Sequence, residues 1–380
     1  MKKIVIIGAN SFQNPLILKA KELGYETHVF AWKEGAIGEE TADYFYPISI
    51  TEYDQILEEC KKIQPDAVCS IGSDLATHAV NYVSTKLGLS CNSLECTRIS
   101  TNKYEMRKAF KANGIPTPGF EVIDENLDLD KLDYMKYPLI VKPTDRSGSR
   151  SITKVFNKDE LIKAIERAQT DSFESKAIVE EYIEGEEYSI EGISFKGKHK
   201  FLAITKKFTT GAPNFIETGH IEPAGLSPEM EDKIKEMIYK ALDALKIENS
   251  ASHSEFKITP EGEVRIIEIG ARMGGDCIGS DLVGISTGYD FIKMVIDVAL
   301  GNEPDFTKVS EPKYAAIKFI FNEKDLEKVK EVEKDTPNFV YFKSEIEDIN
   351  SREVKDSSTR FGYYIFAFDK KEDVRWDLFE

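Results

Sequence analysis

The chain has 380 residues, which at roughly 100–200 residues per domain suggests two or three domains. With 41% hydrophobic and 11% aromatic residues it can bury a core, which excludes disorder as its main state. A net charge of −17 and no basic tract make it a poor partner for a nucleic-acid backbone, so any bound anion must meet local islands of positive charge.

Residues 4–7 form a short apolar strand that ends at Gly8, too short for a signal-peptide core. Residues 15–23 and 53–63 have helical spacing, and 26–31 and 67–71 read as further strands. Strand–helix–strand at this spacing implies a parallel α/β sheet with right-handed crossovers. The turn at 8–13 lacks GxGxxG, so a sheet scaffold is favoured over a dinucleotide site. A helix over 103–112 is stopped by Gly114, Pro116 and Pro118. Beyond it, strands at 137–143, 152–156 and 177–182 and a helix at 158–167 make a small α+β unit. Strands then dominate at 188–195 and 200–205, and a helix covers 228–245. A hairpin pairs 252–258 with 264–269 through a turn containing Pro260 and Gly262. A helix at 289–300 and strands at 314–321 and 362–368 complete the reading. The expected division is 1–112, 113–186 and 187–380. Five cysteines without a CxxC pair fit a reducing, cytoplasmic setting, and no apolar run reaches a membrane-spanning length.

Three constellations carry chemistry. Lys142 ends a strand and faces a loop, 144–151, of Ser, Gly and Arg. A point charge beside close-approaching backbone N–H groups can hold a polyphosphate, although it is not a Walker A loop. A surface lysine beside a polar turn is the plain alternative. Between Glu180 and Glu187 five carboxylates fall within eight residues. They form either an acidic turn facing water or a nucleoside pocket, in which a strand edge pairs with a base and an acceptor-only carboxylate takes ribose hydroxyls. Glu255 and Glu268 lie on either side of the hairpin, where paired strands set them on one face. Two bare carboxylates ask for a cation, and hard oxygen ligands favour Mg²⁺, with Mn²⁺ as an alternative. Arg272, four residues on, can bind a carboxylate or phosphoryl group bidentately, and Gly274 and Gly275 permit close backbone approach. The plain alternative is a Glu–Arg salt bridge on a hairpin.

The order and spacing of Lys103, Lys142 with its loop, the 180–187 stretch, and Glu255, Glu268 and Arg272 resemble the ATP-grasp superfamily of carboxylate–amine ligases. The resemblance covers about residues 1–300 and is strongest to the branch of L-amino-acid ligases and carnosine-synthase-like enzymes. It implies an α/β ATP-grasp fold: an N-terminal parallel-sheet domain, a small α+β lid and a C-terminal antiparallel-sheet domain. It implies ATP and Mg²⁺ as cofactors and small-molecule carboxylate and amine substrates, with dimer contacts left open to residues 301–380. By resemblance, Lys103 and Lys142 contact phosphates, and Ser147, Gly148 and Ser149 lie in a flexible loop over them. Glu180 with the backbone of Glu181 and Ile183 holds adenine, and Glu187 takes the ribose. Glu255 and Glu268 ligate Mg²⁺, Glu268 bridging two ions, and Arg272 stabilises an acyl-phosphate. His220, Gly274 and Gly275 face the substrates, although His220 also reads as a surface-loop histidine. One departure stands out: Gly270 occupies a position where many members carry an Asn ligand. The implied activity is amide formation through an acyl-phosphate. The alternatives are other ATP-grasp chemistry, such as carboxylation or nucleotide-precursor synthesis, and a nucleotide-binding protein without catalysis.

Overall fold

The structure is a computed structural model that describes residues 1–125, 128–148, 150–213 and 215–379. Strands β1 (Lys3–Ile7), β2 (Glu26–Phe30), β3 (Tyr44–Tyr46) and β4 (Ala67–Cys69) form a parallel sheet in the order β3-β2-β1-β4. Strands β1 and β4 are apolar almost throughout because helices cover both faces. A second sheet, in the order β5-β8-β6-β7, contains β5 (Phe120–Ile123), β6 (Leu139–Pro143), β7 (Thr153–Val155) and β8 (Ala177–Glu181). Helix Lys158–Asp171 packs Leu161, Ala164, Ile165 and Ala168 against it.

The third sheet has eight strands, in the order β13-β12-β9-β10-β11-β14-β16-β15. They are β9 (Glu186–Phe195), β10 (Lys198–Thr209), β11 (Glu217–Glu222), β12 (Ser250–Ile258), β13 (Val264–Gly270), β14 (Tyr314–Phe319), β15 (Val340–Lys343) and β16 (Tyr363–Phe368). Period-two alternation divides its faces. One carries Tyr188, Ile190, Ile204, Phe256 and Ile266, which pack on Ile234, Ile238 and Leu242 of helix Pro228–Ala244. The other carries Glu187, Ser189 and Glu191 on β9, Lys207 on β10, and His253, Glu255 and Lys257 on β12.

One expectation is corrected. The segment around His220 is not a surface loop but strand β11, paired with β10 on one side and with β14 on the other. Its second partner lies almost a hundred residues away, beyond the reach of local sequence signals. After residue 300, β14, β16 and β15 extend the central sheet and build their own core around Phe361, Phe366 and Phe368. Among the described residues no helix is long and apolar enough to cross a membrane.

Candidate active site

The polar face of the large sheet forms one wall of a cleft. Glu255 and Glu268 are direct partners across β12 and β13, so both carboxylates sit in one row. Each is met by a buried lysine. Lys207, on β10, contacts Glu255 and lies 3.5 Å from Glu187 and 3.7 Å from Glu217. Lys103 Nζ lies 2.8 Å from Glu268 and donates to the Arg146 carbonyl at 2.6 Å. Asn102 explains its placement: the side chain caps helix Lys103–Ala112 by accepting from the Glu105 N–H, which sets Lys103 in the first turn at the cleft. Burial works against both charges of the Lys207–Glu255 pair. Even so, Glu255 and its neighbours hold the Lys207 ammonium above its usual range, and Lys207 and His253 keep Glu255 well below the usual carboxylate range.

Arg272 is fixed by a fork. Its Nε and Nη2 donate to the two oxygens of Asp74, each at 2.9 Å. Asp74 begins helix Asp74–Leu87, which Ser73 caps through the Ala76 N–H. Burial opposes the Asp74 charge, but the guanidinium holds its carboxyl below its usual value. Gly270 makes this pairing possible. A Cβ there would stand 2.9 Å from Asp74 Oδ1 and 3.1 Å from Arg272 Nε, so the position is kept open for the ion pair.

Lys142 belongs to a different arrangement. Its Nζ lies 2.6 Å from Glu180, and Arg107 Nε lies 2.7 Å from the other oxygen. All three residues are buried. Burial pulls the Lys142 ammonium down against the pull of Glu180; for Glu180, burial is outweighed by Arg107 and Lys142, which hold it ionised. The Glu180 carboxylate is thus engaged by two internal cations, while the residue also lines the neighbouring slot. Beside it runs a slot with apolar walls from Ile152, Ile183, Phe215 and Ile267 and with Glu187 at its edge. The Glu181 N–H donates to the Gly119 carbonyl at 2.8 Å. This slot and the main cleft share Lys142, Glu255 and Glu268, so the two are continuous.

Ser147 and Gly148 lie exposed at the cleft mouth, Gly148 at φ +74°. Ser149 lies outside the described residues. The loop is tied back by Arg146, which stacks on Phe173 with 3.8 Å from Cζ to ring centroid and donates to the Asp171 carbonyl at 2.5 Å.

At the far end of the cleft lie Gly275, Asp276 and His220. His220 is fully buried, and neither ring nitrogen has a hydrogen-bond partner; Nε2 stands 3.7 Å from Asp276. Burial pushes its pKa down, favouring neutral imidazole. Gly274 requires a correction: it is buried behind the cleft, and its N–H is committed to Glu191 at 2.9 Å, so it offers nothing to a substrate. Arg360 and Ser357 complete this end from the C-terminal segment. Arg360 holds Asp276 at 2.6 and 2.9 Å, and Ser357 donates to Glu217 at 2.9 Å. Lys207, Asp74, Asp276 and Arg360 are the site residues that the motifs missed. Lys207 had a signal in strand alternation and Asp74 in the helix-capping turn, whereas Arg360 had none.

Among the described residues no cluster of three or more His, Cys, Asp or Glu is arranged to hold a metal ion. The donor chemistry nevertheless fits Mg²⁺. Two hard carboxylates share one row and face a polar cleft, and this ion completes its shell with water and phosphate oxygens.

Comparison with known proteins bears on this geometry. Residues 135–281 match the ATP-grasp domain. Alanine–anticapsin ligase of Bacillus subtilis is 29% identical over 314 residues, covering 72% of this chain and 66% of the relative. The chain thus spans slightly less than two thirds of that relative's length. The solved L-amino acid ligase of Bacillus licheniformis superposes with a TM-score of 0.81 at 23% identity, over 98% of this chain and 95% of the other. Phosphoribosylglycinamide synthetase of Anaerococcus prevotii gives 0.77 at 23% identity, over 99% and 96%. The apolar slot and the row of carboxylates and lysines thus border a segment, 135–281, that matches the ATP-grasp domain, within a chain that shares the fold of these two solved enzymes.

Proposed function

We propose that the protein is an ATP-dependent carboxylate–amine ligase that forms an amide bond, peptide-like in kind, and releases ADP and phosphate. The observation that carries this reading is the single sheet row in which Glu255 and Glu268 face Lys207 and Lys103, with Arg272 beside them and an apolar slot adjoining. The base would lie in the slot near Ile183, with Glu187 toward the ribose. Lys103, Lys142 and the loop with Ser147 and Gly148 would surround the phosphates. Glu255 and Glu268 would hold Mg²⁺, which neutralises triphosphate charge when bound.

In the first step a substrate carboxylate oxygen attacks the γ-phosphorus, the bond to the bridging oxygen breaks and ADP leaves. In the second an amine attacks the acyl carbon, loses a proton and expels phosphate. Negative charge concentrates in both steps, so fixed cations do most of the work. The Asp74 fork holds Arg272 in one orientation, ready for the acyl-phosphate oxygens without reorganising. His220 and Gly275 would face the substrates. The acyl-phosphate must be shielded from water, and residues 113–186 would close over it, hinging near Gly114 and Gly185.

The test is phosphate release from ATP and Mg²⁺ across pairs of amino acids. Phosphate released with particular pairs, together with a peptide product, is expected. Release with bicarbonate or a phosphoribosyl amine alone would assign the other ATP-grasp chemistry instead. Glu268→Gln should reduce turnover at least about a hundredfold; full turnover in that variant would remove the assigned metal role.

A further inference from the structure

Glu191 takes no part in the roles above, yet it lies wholly buried on the polar face of the central sheet. A carboxylate removed from water is costly unless it is paired, so its partners show its purpose. One oxygen meets His253 Nδ1, directly opposite on β12. The other accepts the Gly274 N–H at 2.9 Å. His253 continues the chain of contacts, with Nε2 at 3.2 Å from Glu255. Gly274 is sterically tied to the same pair: a Cβ there would stand 2.6 Å from Glu191 Oε1 and 2.8 Å from His253 Nδ1.

Two groups of the proposed reaction centre therefore share one internal reference. Glu255 comes from β12, and Arg272 lies two residues before Gly274, on a different segment. We propose that Glu191 and His253 are a positioning pair, which orients the Glu255 carboxylate for the cation and fixes it relative to the turn that carries Arg272. His253 holds one oxygen of Glu255, and Glu191 holds both the imidazole and the turn. The inference rests on the reading of Glu255 as a metal ligand.

Binding of a fluorescent ADP analogue, with Mg²⁺ and with EDTA, tests the pair without knowledge of the substrates. Wild-type protein should bind more tightly with Mg²⁺. Glu191→Ala and His253→Gln should each lose about tenfold or more of that Mg²⁺-dependent gain while affinity in EDTA stays within about twofold. The double variant should lose no more than the worse single one, because both act through one route. Gly274→Ala, which drives a methyl group into the same carboxylate, should reproduce the loss. Glu191→Gln, which keeps an acceptor for the Gly274 N–H and offers an amide N–H to the Nδ1 of neutral His253, leaving Nε2–H for Glu255, should restore most of the gain. Should Glu191→Ala not fold, His253→Gln decides alone. A folded His253→Gln protein with the wild-type gain, or losses equal with and without Mg²⁺, would overturn the pair. No Mg²⁺-dependent gain in wild-type protein would instead strike at the metal site itself.

Discussion

Two lysine–glutamate arrangements border the same cleft, and they differ in access to water. Lys142, Glu180 and Arg107 form a sealed triad with side-chain exposures of 5%, 3% and 0%. In the open row, the Glu268 and Glu255 side chains are 27% and 23% exposed while their lysines are buried. A sealed carboxylate does not readily exchange its partners, so the Glu180 side chain sets the position of Lys142. A half-open carboxylate can accept a new cation, and the lysine it releases can turn to a phosphate. The difference separates scaffold from ligand site among side chains of identical type.

The sharpest way to break this contrast is on the sealed side. Arg107→Ala leaves Glu180 buried with one cation fewer, and removal of one partner from a buried pair costs about 3–5 kcal/mol. The shift should appear in the denaturant midpoint. A midpoint equal to wild type would mean that the triad is not sealed in solution. On the open side, Arg272→Ala, which leaves the partly exposed Asp74 unpaired, should lower the midpoint less than Arg107→Ala does and reduce turnover more than about a hundredfold, with little change in ADP affinity. Steady-state kinetics with the active substrate pair would show it, and near-normal turnover would remove Arg272 from the reaction. Gly270→Ala places a methyl group 2.9 Å from Asp74 Oδ1 and should loosen the fork, lowering kcat by about tenfold while the KM for ATP holds. An unchanged kcat would show that Arg272 does not depend on its fork.

The smallest effect belongs to Glu222, a sealed residue on the open face. Burial raises its pKa to about 7, although Ser286 and Thr205 donate to it at 2.6 Å and pull the other way. Its folded pKa lies above the unfolded one. Its stabilising contribution is therefore complete below the unfolded carboxyl value and is lost as pH rises through about 7. Glu222→Gln removes that dependence. Its melting temperature relative to wild type should climb by a few degrees between about pH 5 and pH 8. A parallel pair of pH profiles would contradict the assignment.

The legible parts of this protein are those in which chemistry and local period coincide. Glu255 and Glu268 could be placed on one face because a single tight turn joins their strands. Gly270 and Gly275 follow within a few residues of Glu268, so the turn beyond β13 was visible as one unit. Strands β1 and β4 were legible because buried parallel strands are continuous apolar runs, whereas the short, more exposed edge strand β3 gave no such signal. Lys207 was harder, since its partners come from β9, β11 and β12, and only the fold brings them to one lysine. The ion pairs of Glu180 were hidden for a related reason. The acidic stretch in the sequence gives no sign that Arg107, on a helix more than seventy residues earlier, has already claimed one of its carboxylates. His220 appeared as a loop residue because the strand that pairs with its far side, β14, begins at Tyr314.

Arg360 sets a timetable for the molecule. The wall it forms with Asp276 is contributed by a segment that leaves the ribosome long after Lys103 and Lys142 have emerged. Until it emerges, one side of the cleft is missing. Under the proposed function, competence for chemistry would therefore arrive late in synthesis, with the outer strands of the surrounding sheet.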